Sequence, residues 1–171
     1  CKSKEGAIQA VRGQIILRFC NNCGYVGNEG HDPGKISFDD YDFSNAHSPI
    51  FAKHTKEISD RLINSYDLHG KNILDIGCGD GYFLKTICTS GNNKGIGIDP
   101  GFDFSNFKKN RTDLTFIRDY YSKKYAHFES DLLTCRHVLN VINDPIAFIK
   151  SIRENLNGQE NTIVYFDAPN V

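Results

Sequence analysis

Ile73-Leu74-Asp75-Ile76-Gly77-Cys78-Gly79-Asp80-Gly81-Tyr82 is the stretch on which the reading of this chain turns. It reads as a buried strand with an acidic residue near its end, a loop with glycine at every second position, and the start of a helix. A loop of that kind lets the backbone press against a ligand where any side chain would collide. The spacing also narrows the ligand. A dinucleotide fingerprint needs G-x-G-x-x-G, whereas here Tyr82 stands where the third glycine would fall and Gly81 comes one residue early.

Working outward, Phe83, Leu84, Ile87 and Cys88 share one helical face within Gly81 to Ser90, and Gly91 stops that helix. Gly95-Ile96-Gly97-Ile98-Asp99 predicts a second strand, closed by Pro100, and Leu114 to Ile117 a third, ending in Arg118-Asp119. Asp131 to Val138 is a fourth strand, apolar enough to be buried on both faces. Asp144-Pro145 opens a helix through Ile149, Ile152 and Leu156, and Thr162 to Phe166 is a fifth strand ending at Asp167. Upstream, Ser48 caps a helix in which Pro49 suits the first turn and Phe51, Ile58, Leu62 and Tyr66 recur at near-helical spacing. Strands alternating with helices at these intervals predict an α/β domain, a doubly wound, mostly parallel Rossmann-like sheet, over residues 48–171. Residues 1–47 differ in composition and predict a small Cys-containing module with one clear strand, Gln14 to Phe19.

Composition excludes several classes. Charged residues at 24% and apolar ones at 39% describe an ordinary soluble globular domain. A net charge of −1 gives no general reason to expect nucleic acid or an anionic membrane, so the expected partner is a small molecule, with no nucleic acid and no membrane. No apolar run approaches the roughly 20 residues of a membrane span. Of six Cys, Cys78, Cys88 and Cys135 fall inside apolar patterns, as reduced buried thiols do, and the expected compartment is cytoplasmic. A chain that starts at Cys1 and holds no Met reads as a trimmed piece of a longer protein.

In open α/β sheets ligands bind beyond the carboxyl ends of the strands, where the strand order reverses. Three consecutive strands here end in acids, at Asp75, Asp99 and Asp119, and the fourth ends at Cys135-Arg136-His137. Together with D-x-G-x-G-x-G, the stretches ILDIGCGDGYF, GIGIDP, FIRDYYS and DLLTCRHVLNVINDP resemble the class I S-adenosylmethionine (SAM) dependent methyltransferases from about Ser48 onward. The resemblance implies SAM as cofactor and methyl transfer as activity. The N–H groups of Gly77, Cys78, Gly79 and Gly81, with Tyr82 opening the helix, then suit the methionine carboxylate. Asp75 attracts the ammonium, and Asp99, followed by Pro100, accepts from the ribose hydroxyls. Asp119 accepts from the adenine amino group, Tyr120 or Tyr121 covers the base, and Cys135, Arg136 and His137 flank the cofactor. Many relatives read Glu-His where this chain has Asn140-Val141, which puts the general base in doubt and leaves His137 as a weak stand-in. The sulfonium is already activated, so catalysis asks mainly for positioning and exclusion of water.

Cys20-x-x-Cys23-Gly24 is a zinc-knuckle half-site, two thiolates on a tight turn. Cys1 is a third candidate ligand and His31 a weaker fourth; a metal-free reduced pair is the competing reading. A zinc-ribbon-like module ahead of "LDIGCGDGYFL…GIDP…CRHVL…DP" resembles the sugar C-methyltransferases, which act on nucleotide-linked ketosugars. That resemblance implies a carbohydrate-like acceptor and a structural zinc, and makes Tyr41 a candidate substrate-side residue. It also implies a sheet truncated after strand five. Two other readings stay open: an NAD-dependent oxidoreductase, and a non-catalytic scaffold built on a degenerate methyltransferase fold.

Overall fold

The structure, a computed structural model, describes residues 3–35, 48–103 and 113–169. The chain divides into two compact units, Cys1–Phe38 and Asp39–Val171. The expected boundary after residue 47 lies outside the described residues, as do Cys1 and Tyr41.

In the first unit a short helix α1 (Lys4–Ile8) starts where the Ser3 hydroxyl accepts from the Gly6 N–H at 3.0 Å. Strands β1 (Leu17–Phe19) and β2 (Val26–Asn28) form an antiparallel hairpin with Leu17 opposite Asn28 and Phe19 opposite Val26. The expected strand over Gln14 to Phe19 is thus shorter, and β2 was not expected at all. Residues 14–16 continue beside β2 through other bonds: the Glu29 N–H donates to the Ile16 carbonyl at 2.8 Å, Asn28 Oδ1 accepts from the Ile16 N–H at 2.7 Å, and the Asn28 amide donates to the Gln14 carbonyl at 3.1 Å. No described residue of this unit is buried. Such a hairpin has little apolar burial to stabilise it and depends on its turn and side-chain ties.

The second unit is a five-stranded, all-parallel sheet in the order β5-β4-β3-β6-β7. Its strands are β3 (Asn72–Ile76), β4 (Lys94–Ile98), β5 (Leu114–Ile117), β6 (Leu132–Arg136) and β7 (Ile163–Asp167). Helix α2 (Pro49–Tyr66) enters through Ser48, whose hydroxyl accepts from the Phe51 N–H at 3.4 Å, with Pro49 in the first turn. Helix α3 (Tyr82–Gly91) links β3 to β4, and α4 (Pro145–Asn155), capped by Asp144 onto the Ala147 N–H at 2.9 Å, links β6 to β7.

Alternation along the strands assigns the two faces. Ile73 and Leu132 point to the face covered by α2 and α3, where Ile58, Leu62, Ile63, Phe83, Leu84 and Ile87 pack. Leu74, Ile76, Leu133 and Cys135 point to the other, against Ile152 and Leu156 of α4. Asp75 therefore falls on the α2/α3 face, beneath a helix layer, which is why a charged side chain is 2% exposed. Chain order runs outward from β3 through β4 to β5, then returns to place β6 on β3's other side. The reversal point lies between β3 and β6, and the α/β class and parallel sheet agree with the sequence reading. Among the described residues no helix is long and apolar enough to cross a membrane.

Candidate cofactor site

The loop after β3 is shaped by backbone that only glycine adopts cheaply. Gly77 and Gly81 have φ of 71° and 75°, and a Cβ would lie 2.2 Å from Val138 Cγ2 at the first and 2.4 Å from Phe116 Cε1 at the second. The loop is sewn to its neighbour strand: the Gly77 N–H donates to the Ile98 carbonyl at 2.8 Å. Gly81 has no side chain with which to cap α3, and Asp80 takes over, its Oδ1 accepting from the Tyr82 N–H at 2.9 Å.

Asp99, at the end of β4, holds this loop from the side. Its Oδ2 accepts from the Gly79 N–H at 2.9 Å and its Oδ1 from the Gly101 N–H at 2.7 Å, and the residue is 6% exposed. A carboxylate has about four lone-pair sites, so both oxygens keep acceptor capacity. Asp75 is matched in register to Thr134 of β6, whose hydroxyl donates to Asp75 Oδ1 at 2.6 Å. Burial pushes the Asp75 carboxyl up to about 7; the Thr134 bond and the Arg136 charge oppose this, while Asp99 and Asp167 add to it. Burial likewise pushes the Cys78 thiol well up and the Cys135 thiol up to about 12, with nearby carboxylates adding. Both are poor nucleophiles by this measure.

At the end of β6 the chain turns sharply. His137 has φ of 56°, and its N–H donates to the Asp167 carbonyl at 3.0 Å and to Asp167 Oδ1 at 3.2 Å. Its Nε2 lies 3.5 Å from the same Oδ1. Arg136 is 9% exposed; its Nε donates to Asp167 Oδ2 at 2.8 Å and its guanidinium carbon sits 4.3 Å from the centre of the Phe83 ring. The end of β5 is different. Asp119 carries an ion pair to Lys124 and accepts from the Tyr125 hydroxyl at 2.6 Å and the Tyr120 N–H at 2.8 Å. The Lys124 and Tyr125 bonds hold its carboxyl down to about 2. Tyr120 is 60% exposed, and Tyr121 accepts from the Asn155 amide at 3.0 Å.

The fold thus gathers Asp75, the loop from Gly77 to Tyr82, Asp99, Pro100, Cys135, Arg136 and His137 at one end of the sheet, beside the reversal point. Asp119 shares that end but is already engaged. Thr134, Asp167 and Phe83 were not singled out for the site from sequence; Thr134 gains meaning only once β3 and β6 are paired. Cys20 and Cys23 belong to the other unit, and no group of three or more metal-ligating side chains occurs among the described residues.

A family model described as a methyltransferase domain matches residues 50–171. The tRNA U34 carboxymethyltransferase of Sulfurovum sp. is 34% identical over 99 residues, covering 54% of this chain and 33% of that protein. The protein of the same name from Helicobacter hepaticus is 34% identical over 116 residues, covering 58% of this chain and 37% of its own length. The matched stretches span about a third of these relatives. Among solved structures, coclaurine N-methyltransferase bound to N-methylheliamine and SAH superposes with a TM-score of 0.54 at 10% identity, over 75% of this chain and 39% of that one, a likeness of fold. The relatives' names overturn the expectation that nucleic acid is excluded as a partner. Net charge is a sum over the whole chain, whereas nucleic acid is met by a local surface, so near-neutrality was never grounds for exclusion. With the family model spanning α2 to β7, the chain belongs to the methyltransferase domain family, of the class I, SAM-dependent kind.

Proposed function

We propose that residues 48–171 bind SAM at the reversal point between β3 and β6, and that the protein transfers a group from it to an RNA acceptor. The observation that carries the cofactor half is the Asp99 clamp: one buried carboxylate fixes the glycine loop through Gly79 and keeps acceptor capacity beside it. The residues fit the group. The Gly77 and Gly81 cradles exclude side chains, the start of α3 suits a carboxylate, and Asp99 offers acceptors for a ribose diol. Asp75 stands ready as counter-charge for an ammonium, and burial makes that pairing worth more than in water. Bound SAM supplies an activated sulfonium carbon, and the chain's task is to orient it and keep water out.

The RNA acceptor rests on the 34% identity to relatives named for tRNA. Transfer of label from SAM to bulk tRNA, set against a panel of nucleotide-linked sugars, tests it. Labelled sugar with unlabelled tRNA would reverse the assignment. For the cofactor, calorimetric titration with S-adenosylhomocysteine and with NAD is decisive: the first should bind and the second should not.

The hairpin turn supports a separate role as half of a structural zinc site. The Gly24 N–H donates to the Cys20 carbonyl at 2.9 Å, with Gly24 at φ 75°. Backbone N–H groups of Cys23 and Asn22 hold the Cys20 thiol below its ordinary range, favouring the thiolate that zinc requires. Elemental analysis should find about one zinc per chain, lost in Cys20→Ser. A full-length protein purified without zinc, with the hairpin still folded, would end this reading.

A further inference from the structure

The pairing of Arg136 with Asp167 leaves one donor unexplained. Arg136 is 9% exposed, and its Nη2 is buried without a hydrogen-bond partner among the described residues. A buried, unsatisfied guanidinium nitrogen is costly, and it calls for a partner such as an ordered water, an ion or a ligand. The rest of the side chain is held firmly. Asp167 Oδ2 fixes Nε at 2.8 Å and the Phe83 ring supports the plane at 4.3 Å from Cζ. Phe83 is the second residue of α3, so the guanidinium stands at the start of the helix that the glycine loop feeds.

A second feature marks the same place. His137, directly after Arg136, is a non-glycine residue at φ 56°. Such a conformation persists where its surroundings over-determine it, and these positions gather at ligand sites. The surroundings are again Asp167, whose carbonyl and Oδ1 both accept from the His137 N–H at 3.0 and 3.2 Å. One residue at the end of β7 thereby sets both the guanidinium and the turn after β6.

We infer that Arg136, positioned by Asp167, grips a carboxylate of the bound ligand through Nη2. Resting on the cofactor reading above, this carboxylate is that of the amino-acid end of SAM, shared between the guanidinium and the start of α3. The charge pattern agrees. Three buried or part-buried carboxylates, Asp75, Asp99 and Asp167, surround this end of the sheet. A ligand carboxylate would be repelled there without a cation to meet it, and Arg136 is the buried cation at that end among the described residues. The guanidinium fork matches the planar geometry of carboxylates and phosphates, and of these SAM carries only a carboxylate.

The test is a cycle between one side chain and one ligand group, read by calorimetry on the full 171-residue chain. The probes are S-adenosylhomocysteine and its decarboxylated analogue, which keeps adenosine, sulfur and amine. Arg136→Gln should weaken S-adenosylhomocysteine about 10- to 100-fold, the range for losing a hydrogen bond to a charged group, and shift the analogue by less than about threefold. Asp167→Asn, which retains shape, should produce the same pattern at smaller size, since it loosens the guanidinium without removing it. Equal losses for both probes would make Arg136 merely structural and overturn the inference, as would no loss for either. Should Arg136→Gln fail to fold, Arg136→Lys carries the comparison, keeping charge while losing the fork. A wild-type chain that binds neither probe overturns the cofactor reading itself, an outcome distinct from either result with the variants.

Discussion

Asp99 and Asp119 end adjacent strands and touch through the ladder, the Asp119 N–H donating to the Asp99 carbonyl at 3.2 Å. They nevertheless do opposite work. Asp99 is 6% exposed and spends its oxygens on the N–H groups of Gly79 and Gly101. Asp119 is partly exposed, its side chain 30% accessible, and is held by Lys124 and Tyr125. The neighbours make the difference. Glycines bring bare N–H groups within reach of Asp99, whereas the 3-10 turn Lys123–Tyr125 brings an ammonium and a phenol back to Asp119. An acid at a strand end thus becomes a site organiser where the opposing chain is stripped of side chains, and a surface ion pair where it is not. Asp75, between β4 and β6 in the sheet, is the extreme of the first kind.

The largest break in that comparison comes from Asp75. Its carboxyl ordinarily titrates near 3.8 and burial raises it to about 7. Between those values the folded chain keeps a proton that the unfolded chain has lost, so stability falls as pH rises through that window. Below about 4 both states are protonated, and above about 7 the loss is complete, roughly 4 kcal/mol for a shift of this size. Asp75→Asn retains an acceptor for the Thr134 hydroxyl and removes the charge. Urea denaturation should find it more stable than wild type by about 2–4 kcal/mol at pH 8 and nearly equal to wild type at pH 4. A gain of the same size at both pH values would mean that the carboxyl is not the origin. Its affinity for S-adenosylhomocysteine should drop, stability and binding moving in opposite directions as at many strained sites.

Asp99→Ala removes two bonds to backbone N–H groups together with the remaining acceptor sites. Affinity for S-adenosylhomocysteine should fall about 100-fold, corresponding to roughly 3 kcal/mol, and Asp99→Asn, which can still accept, about tenfold. Hydrogen exchange supplies an independent readout, because the Gly79 N–H should lose protection in Asp99→Ala without any ligand present. Unchanged protection at Gly79 would show that the loop is held by Gly77 and the β4 backbone alone.

Much of this end of the sheet is legible in the sequence alone. The spacing Gly77, Gly79, Gly81 encodes a backbone conformation directly, and the apolar strands around it fix a parallel order through local rules. What was not legible depends on pairing between distant segments. Arg136 and Asp167 sit opposite each other only because β6 and β7 align in that register, 31 residues apart in sequence. Thr134 beneath Asp75 follows from the same kind of alignment, across 59 residues. Strand β2 escaped because Val26-Gly27-Asn28 has one apolar side chain and no alternation to read. Asp119 was legible as an acid at a strand end but not as a paired one, because Lys124 reaches it through a turn with no strong sequence signal.

The smallest expected effect belongs to Asp119 and sharpens the comparison most. If its oxygens serve Lys124, Tyr125 and the Tyr120 N–H, little remains for an adenine amino group. Asp119→Asn should then change S-adenosylhomocysteine affinity by no more than about threefold, the scale of exposed polar contacts. The loss should not grow when Lys124→Gln is combined with it, since each change dismantles the same pair. Raising salt should weaken the pair in wild type and leave ligand affinity nearly constant. A loss of tenfold or more in Asp119→Asn, absent with a ligand lacking the adenine amino group such as S-inosylhomocysteine, would instead place Asp119 beside Asp99 as a site organiser, with Lys124 moving aside as the base enters.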